Sequence, residues 1–288
     1  MALPRVVHAV VGGSGTSAIE FPGGLGDARV HVLAADLHLD TPFGETPPLT
    51  HVTVIGPDGG QREALAVAMH GWMPGTDRRQ SSLALFWALR EAGVRRIVAE
   101  SGVGSITQNF RPRDLVVPHD VLDLTPQVGG RIAPDQRVLM RQPFCPEIRA
   151  MLWEGAQSLA ADRATRAFDR AVVAATEGTR FETAAEVLAY ARLGADLVGS
   201  GICPEVFLAR EIGACYATLA GVLNYAEGVR PRWDYELLEE IVREDARLLG
   251  DLLLTALTQV PDTIGCHCAS YRKPVVAPGQ VVALTDTA

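Results

Sequence analysis

One stretch of the sequence decides the fold: Thr176-Glu177-Gly178-Thr179-Arg180-Phe181-Glu182-Thr183. The apolar residues before it, 171–174, are typical of a buried strand. The residues after it, 184–193, have the apolar spacing of a helix. A strand that ends in a polar, glycine-containing turn and then enters a helix is typical of an open α/β fold. Ligands bind at the carboxyl ends of strands in such folds, so we expect a binding site beside this turn.

The turn carries side chains that suit a flat heterocyclic ligand with N–H groups. Phe181 offers an aromatic face, Glu182 a carboxylate acceptor and Arg180 a set of donors. A simpler interpretation is equally open. In it the turn only starts a helix, with Glu182 near the positive end of the helix dipole and Phe181 in the core.

The composition is that of a soluble globular protein. The chain has 288 residues, of which 48% are hydrophobic and 21% are charged. No Ser/Gly/Pro-rich linker and no internal repeat marks a boundary, so we expect a single domain over residues 1–288. The net charge of −8 argues against binding to nucleic acid or to an anionic membrane.

The expected compartment is the cytoplasm. The first apolar run, residues 6–11, is too short for a signal peptide or a membrane span, and Gly12-Gly13 interrupts it. The 5 cysteines are an odd number without the spacing of a disulfide scaffold, which indicates a reducing environment.

Other predicted strands also end in glycine-containing turns. Strand 5–11 leads into residues 12–17, whose backbone N–H groups and hydroxyls suit an oxyanion, although a Walker lysine and a full dinucleotide fingerprint are missing. Strand 96–99 leads into a second glycine-rich turn, 100–105, and residues 196–201 repeat the pattern. We therefore expect one site built from several strand ends.

The remaining elements alternate between strands and helices. Further strands are predicted at 29–34 and 51–55, as hairpins at one edge, and at 64–69, 114–118 and 215–223. Helices are predicted at 79–92, 143–161, 184–193, 204–211 and 233–257, followed by a Pro-containing tail. The inward positions of helix 79–92 are Leu83, Phe86, Trp87 and Leu89. The alternation predicts an α/β/α sandwich around a mixed central β-sheet.

Several segments occur in the same order as in a known family. They are Gly12-Gly13-Ser14-Gly15, Phe86-Trp87-Ala88-Leu89, Gly104-Ser105, Pro204-Glu205 and residues 144–149, 180–186, 193–196, 215–217 and 224–226. On these segments the chain resembles the trimeric purine nucleoside phosphorylase family, in particular its methylthioadenosine phosphorylase-like branch. The resemblance runs from the first strand to about Asn224 and on through the final helix.

The resemblance implies a nucleoside phosphorylase-like fold and the activity of a pentosyltransferase in purine salvage. Enzymes of that family cleave the N-glycosidic bond of a purine nucleoside with phosphate, giving the free base and a pentose 1-phosphate. The resemblance further implies a homotrimer, phosphate as co-substrate, and neither a cofactor nor a metal. Departure of the base leaves an oxocarbenium-like sugar. The site must therefore stabilise the departing purine and hold an anionic nucleophile beneath the anomeric carbon.

The resemblance also assigns residues to the base. Phe181 is expected to pack against the purine, Glu182 to accept from its N–H groups, and Asn224 to bond its N7/O6 edge as a catalytic residue. Glu182 with Asn224 indicates a 6-oxopurine. The methylthioadenosine version tends to carry Asp at 224 and again at Ala226, because an adenine amino edge calls for an acceptor.

For the sugar and phosphate, the resemblance points to Ser200, Ser14 and His70, with His70 also a catalytic candidate. Each candidate has a simpler alternative without the resemblance. Asn224 is then a strand-end turn residue, His70 a histidine satisfied within its loop, and Ser14 a turn hydroxyl.

The chain departs from the family at the phosphate and ribose ends. Met69 stands where the family has an Arg before the histidine, and Trp72 and Met73 occupy the region of a second histidine. Ser200 and Gly201 replace a Met that backs the ribose and a Ser or Thr that grips phosphate.

These departures leave the source of positive charge open. Arg78 and Arg79 are close enough in sequence to replace the missing Arg, and Arg111 and Arg113 are further possibilities. All four also suit a solvated surface. Two other functions therefore stay open: a phosphate-independent nucleosidase, and a redirected or non-catalytic nucleoside-binding homologue.

The end of the chain carries a Cys266-His267-Cys268 segment, which resembles the Cys-x-Cys ending of some family members. Two cysteines one residue apart are a poor zinc set without two more ligands. We therefore expect a tail with free thiols and no metal.

Overall fold

The structure is a computed structural model that describes residues 3–26, 28–57, 59–72, 75–126, 130–163, 165–232 and 234–275. Its strands are β1 (His8–Val11), β2 (Val30–Leu37), β3 (Asp40–Thr41), β4 (Gly44–Glu45), β5 (Leu49–Ile55), β6 (Gln61–Val67), β7 (Arg96–Ser105), β8 (Leu115–Val116), β9 (Asp120–Asp123), β10 (Gln136–Val138), β11 (Ala167–Phe168), β12 (Val172–Ala175), β13 (Leu197–Gly199), β14 (Cys215–Tyr225) and β15 (Arg272–Pro274). The α-helices are α1 (Arg78–Glu91), α2 (Pro146–Arg163), α3 (Ala184–Arg192), α4 (Glu205–Ile212) and α5 (Tyr235–Gln259). Short 3₁₀ turns cover Ser14–Thr16, Gly23–Leu25, Met69–Gly71 and Cys268–Tyr271.

A mixed sheet of 11 strands organises the described part of the chain. Its main path is β11-β8-β14-β7-β1-β6-β5-β2, and β13, β12 and β9 branch from β7. The central strands β6, β1, β7 and β14 are parallel, whereas β5 and β2 form antiparallel pairs at one edge. Because parallel neighbours bring their carboxyl ends to one edge, the turns after these strands meet there. The predicted α/β architecture with a mixed central sheet and edge hairpins is confirmed.

The stretch at 176–183 forms the predicted strand, turn and helix. Strand β12 leads into the turn, and α3 begins after Thr183, which forms a reciprocal capping box with Glu186. The alternative that placed Phe181 in the core is wrong, because its side chain is 54% exposed. Gly178 has φ +68°, and a Cβ there would lie 2.2 Å from the Cβ of Ser200, so only glycine fits this turn.

Strand β7 corrects the prediction of a second glycine-rich turn at 100–105. Parallel pairing with β14 runs along β7 to Ser105, so these residues continue the strand. Gly102 marks a close approach, since a Cβ there would lie 2.3 Å from Ser14 Oγ and 2.4 Å from Leu223 Cδ1. In a sequence, a glycine that makes room for a neighbouring side chain cannot be distinguished from a glycine that forms a turn.

Helix α1 packs in the interior as its periodicity predicts. Asp77 caps its first turn by accepting from the Gln80 amide, and Leu83, Phe86 and Leu89 are buried. Trp87 is only partly buried at the margin of the core. The helices predicted at 143–161 and 204–211 are observed as α2 and α4. The first residue of the predicted final helix, Trp233, lies outside the described residues, and α5 is observed from Tyr235.

The segment after α5 is more ordered than a plain tail. A 3₁₀ turn, Cys268–Tyr271, is followed by β15, which pairs antiparallel with β10. These elements were missed because two strands of three residues carry too little periodicity to be recognised. Within the described residues, none of the helices has the length and apolarity needed to cross a membrane.

Candidate active site

A cavity of about 500 Å³ lies where the ends of several strands meet. Its volume is in the range of small-ligand sites. Seven residues singled out from the sequence line it: Ser14, His70, Arg78, Phe181, Glu182, Ser200 and Asn224. The predicted convergence of separate turns on one site is thus what the fold produces. Leu238 and Val242 of α5 close one side of the same cavity.

The other three arginine candidates lie elsewhere. Arg79 lines a small adjoining pocket of about 50 Å³ and not the main cavity. Arg111 lines a separate cavity. Arg113 lies in that cavity as well and is held by ion pairs to three carboxylates, of Glu240, Glu244 and Asp245. The expectation that Arg111 or Arg113 supplies charge to the site is therefore wrong.

One end of the cavity presents an aromatic ring and an acceptor. Phe181 lies on its rim, and the Glu182 carboxylate is oriented by Thr176, whose hydroxyl donates to Glu182 Oε1 at 2.7 Å. Thr176 is buried and Glu182 is half-buried, so this partly shielded bond orients the carboxylate. A fixed carboxylate with free acceptor capacity suits a ligand that presents N–H groups.

Asn224 reaches this end of the cavity because strand β14 is bulged beside it. The pairing of β14 with β7 shifts register between Val222 and Asn224, which changes the direction of the strand. The carboxamide nitrogen of Asn224 donates to the Tyr225 carbonyl at 2.8 Å. That local bond holds the side chain beside Gly104, in the lining of the cavity.

At the opposite end, the glycine-rich turn after β1 does hold an oxyanion, but the anion belongs to the protein. The carboxylate of Glu100, fully buried in β7, accepts from the backbone N–H groups of Gly13 at 2.9 Å, Gly15 at 3.1 Å and Thr16 at 3.2 Å. These amides are therefore engaged already. The sequence-based expectation that they hold an external anion needs this correction.

His70 is the second ionisable side chain in this part of the cavity. Its Nδ1 lies 2.9 Å from Glu205 Oε1, and the Tyr216 hydroxyl donates to Glu205 Oε2 at 2.7 Å. The imidazole is 2% exposed and its partner Glu205 belongs to α4, so it is not satisfied within its own loop as the simpler alternative had it. We call Glu100, His70 and Glu205 the buried charge cluster.

The cluster sets the charge of His70. Burial on its own lowers the pKa of His70, but the charge and the hydrogen bond of Glu205, together with the charge of Glu100, outweigh it and raise that pKa. Burial raises the pKa of Glu100, against the opposing effects of His70 and of the three amides. His70 is therefore biased towards its protonated form, with Nδ1 bound to Glu205 and Nε2 remaining for a ligand.

The position of this imidazole explains why residues 69 and 201 differ from the family pattern. A Cβ at Gly201 would lie 2.3 Å from the ring of His70, and one at Gly13 would lie 2.5 Å from its Nε2. Met69 and His70 both have left-handed backbone, at φ +48° and +56°, which is unusual outside glycine. The turn thus directs His70 into space that a Ser or Thr at 201 would fill.

Arg78 supplies the cavity with a guanidinium group. It begins α1, lies 4.2 Å over the ring of Trp72 and donates to the Glu177 carbonyl at 2.8 Å. Trp72 also contacts the His70 ring, at 4.8 Å between ring centroids. This indole therefore orients Arg78 and His70 together, where the family resemblance led us to expect a histidine. Met73, the other departure in this loop, lies outside the described residues.

Ser101 is a lining residue that sequence reasoning missed. Its hydroxyl is buried, lines the cavity and has no hydrogen-bond partner among the described residues. A buried unpaired hydroxyl is uncommon, and this one is placed to bond a ligand in the cavity. No sequence signal marked it, because Ser101 was assigned to a turn and it lies within β7.

The cavity lining thus combines the Glu182 acceptor and the Phe181 ring with His70, Arg78, Ser14 and Ser101. Such a lining in an α/β fold suits a ligand that has both a hydrogen-bonding ring and an anionic group. Comparison with known proteins makes the assignment more specific. A family model described as the phosphorylase superfamily matches residues 21–258.

Several relatives align along most of the chain. The 6-oxopurine nucleoside phosphorylase of Pyrococcus furiosus is 34% identical over 283 residues, which cover 94% of this chain and 98% of that protein. A probable S-methyl-5'-thioinosine phosphorylase of Methanothermobacter thermautotrophicus is 34% identical, over 80% of this chain and 79% of its own. The S-methyl-5'-thioadenosine phosphorylase of Pyrococcus horikoshii is 33% identical, over 66% and 73%.

A solved structure agrees on the fold. A mutant adenosine/methylthioadenosine phosphorylase from Schistosoma mansoni, in complex with adenine, superposes with a TM-score of 0.73 at 22% identity, covering 88% of this chain and 91% of that one. The chain therefore belongs to the phosphorylase superfamily, among its nucleoside phosphorylases. The resemblance recognised in the sequence is confirmed.

The buried charge cluster predicts how anion binding depends on pH. Sulfate keeps its charge between pH 6 and 9, so its affinity, measured by calorimetry, reports only groups of the protein. Because the pKa of His70 is raised above 6.5, the imidazolium persists to that pH and is lost as pH rises through the higher value. Sulfate affinity should then fall, by up to about tenfold per pH unit. In His70→Gln the fall should disappear, and an equally steep fall in that variant would contradict the assignment.

Proposed function

We propose that this chain is a phosphorolytic pentosyltransferase that acts on 6-oxopurine nucleosides. The observation that carries the proposal is the single cavity whose lining includes Glu182 and Asn224 as well as His70 and Arg78. Its relatives of nearly the same length include the Pyrococcus furiosus protein named 6-oxopurine nucleoside phosphorylase. Phosphate is the proposed co-substrate, and the reaction requires no further cofactor.

Each end of the cavity has a role in the proposed reaction. As the C–N bond breaks, negative charge develops on the purine. Asn224 donates to the N7/O6 edge, and Glu182 holds the base through its N–H groups. Phe181 stacks against the ring at the rim of the cavity. The bond donated by Asn224 strengthens as charge develops, which is the condition for lowering the barrier.

The anion end positions the nucleophile. Phosphate beneath the sugar receives charge-assisted hydrogen bonds from Arg78 and from Nε2 of His70, and further bonds from the hydroxyls of Ser14 and Ser101. The attacking oxygen forms a bond to the anomeric carbon while the bond to the purine nitrogen breaks. Arg78 thereby takes the place of the Arg that the resemblance implied at Met69.

Met69 and Gly201 favour a second candidate, hydrolysis by water. Gly201 lacks a hydroxyl, and Met69 lacks a charge, so the site has fewer donors for phosphate than the family pattern. We therefore expect phosphate to bind weakly, with a high Michaelis constant, rather than at low micromolar concentration. A nucleosidase would release base equally well without phosphate.

The phosphate-dependence of base release tests this proposal. Inosine and its 5'-deoxy analogue are incubated in phosphate and in phosphate-free buffer, and the sugar product is identified. We expect pentose 1-phosphate, and Arg78→Ala should raise KM for phosphate by about 10- to 100-fold, since hydrogen bonds to charged groups contribute about 1.5–3 kcal/mol.

The control variant is Arg79→Ala, which removes the neighbouring guanidinium from the adjoining pocket and should leave KM for phosphate nearly unchanged. Free pentose in phosphate-free buffer would establish the nucleosidase. Tight base binding without turnover would identify a non-catalytic homologue. Equal effects of the two arginine variants would refute the role of Arg78.

The proposed base specificity rests on Asn224. An Asp at this position accepts but does not donate, so Asn224→Asp should shift preference from inosine towards adenosine. Loss of the bond to the 6-oxopurine should lower kcat/KM for inosine by about ten- to a hundredfold. Wild-type protein that cleaves adenosine as well as inosine would refute 6-oxopurine specificity.

We also propose a cytoplasmic homotrimer. In helix α1, one candidate for the interface, Leu83, Phe86 and Leu89 are buried within the chain, which supports a core role for these side chains. Exposed apolar side chains of α3 and its C-cap, Leu188 at 53% and Leu193 at 62%, offer a surface that association can cover. Sedimentation at micromolar concentration should give three times the chain mass of 30.8 kDa. A monomer mass would count against the trimer.

A further inference from the structure

Four of the five cysteines come together far from the cavity. The Sγ atoms of Cys145, Cys215, Cys266 and Cys268 all lie within 4.8 Å of one another. Two of the separations are 3.4 Å, between Cys215 and Cys266, and 3.6 Å, between Cys145 and Cys266. We call these residues the four-cysteine cluster. Three of them are buried, and Cys266 is partly buried.

The spacing of these sulfur atoms fits one central ion. Zinc binds thiolates at about 2.3 Å with tetrahedral geometry, which places the sulfur atoms about 3.8 Å apart. The separations of 3.4 and 3.6 Å lie slightly below that value, and none of the others exceeds 4.8 Å. Cys266 is also nearly equidistant from Cys145 and Cys215, so the sulfurs form one compact group and not two separate pairs.

We propose that the four-cysteine cluster is a structural zinc site. Four thiolates are a soft donor set that selects zinc over magnesium or calcium. All four tetrahedral positions are filled by the protein, so no position remains for a substrate or a reactive water. Binding displaces the thiol protons to solvent.

The surroundings of the cluster favour thiolates. The guanidinium of Arg96, fully buried, lies 3.5 Å from Cys215 Sγ and pairs with Glu147. Cys145 directly precedes α2, where the positive end of the helix dipole favours an anion.

The place of the cluster in the fold explains what a metal would do. Cys215 begins β14, and Asn224 lies nine residues further along, about 30 Å away at the usual rise per residue. The metal is therefore remote from the cavity. It would join the segment after α5 to the start of β14 and to α2, and so hold β15 against β10. Sequence spacing concealed the site, because Cys145 and Cys266 are 121 residues apart.

The test measures metal in the full-length protein. Protein purified without chelator should contain about one zinc per chain by elemental mass spectrometry. Cys266→Ser and Cys268→Ser should each reduce the zinc content at least severalfold. The matched control is Cys203→Ser, because Cys203 is buried but lies outside the four-cysteine cluster and should keep the full zinc content.

A second measurement on the wild-type chain keeps the test decisive if a serine variant fails to fold. Protein grown with Co²⁺ should show the thiolate-to-cobalt charge-transfer band and the intense visible bands of tetrahedral sulfur coordination. Three results would overturn the proposal. They are five free thiols in zinc-supplemented protein, cysteines that become reactive only after reduction, and octahedral cobalt spectra. The second of these would identify disulfides in place of the metal.

Discussion

The buried carboxylate of Glu100 is the constraint on which the site depends. A carboxylate without water must be compensated by hydrogen bonds and opposite charge, because an unpaired buried charge is strongly destabilising. Here the turn after β1 folds back so that its amides, from Gly13, Gly15 and Thr16, point at this carboxylate. The turn cannot move without exposing the charge. Ser14, carried on that turn, is thereby fixed in the lining of the cavity.

The buried Glu100 carboxylate also constrains His70 and the nearby residues that differ from the family pattern. His70 lies between the backbones of Gly13 and Gly201, with Glu205 bound to one nitrogen and Tyr216 fixing Glu205. A side chain at 201 would displace the ring and break up the buried charge cluster. Position 201 therefore lacks a hydroxyl because the buried imidazole occupies the space that a side chain there would need. Arg78, which Trp72 orients, supplies positive charge from α1, whereas the family pattern has its Arg at the position of Met69.

The sequence predicts the parts of this protein whose signals are local. Strand β12, the turn and α3 are predictable because their apolar spacing and the polar, glycine-containing turn lie within one short stretch. Asn224 was placed at a strand end, but the bulge that brings it to the cavity depends on pairing with β7. Gly102 was misassigned to a turn because its function, admitting Ser14, exists only between distant segments.

Pairings across long distances could not be predicted in the same way. Arg78 and Arg79 are adjacent and chemically alike, and only the direction of α1 decides that Arg78 enters the cavity. Ser101 and the four-cysteine cluster are defined by surroundings that the fold creates. The expectation of a tail with free thiols assumed two ligands, and the fold brings two more, Cys145 and Cys215. The single domain and the roles of the individual site residues stay predictions.

The central claim is that a charged His70, buried beside two carboxylates, helps to hold the anion. Nuclear magnetic resonance of the labelled imidazoles tests it most directly, with His70 assigned among the 7 histidines by the His70→Gln variant. Titration should give His70 a pKa above 6.5, and saturating sulfate should raise it further, because a bound dianion stabilises the imidazolium. A His70 that titrates at or below 6.5 and does not respond to sulfate would contradict the account.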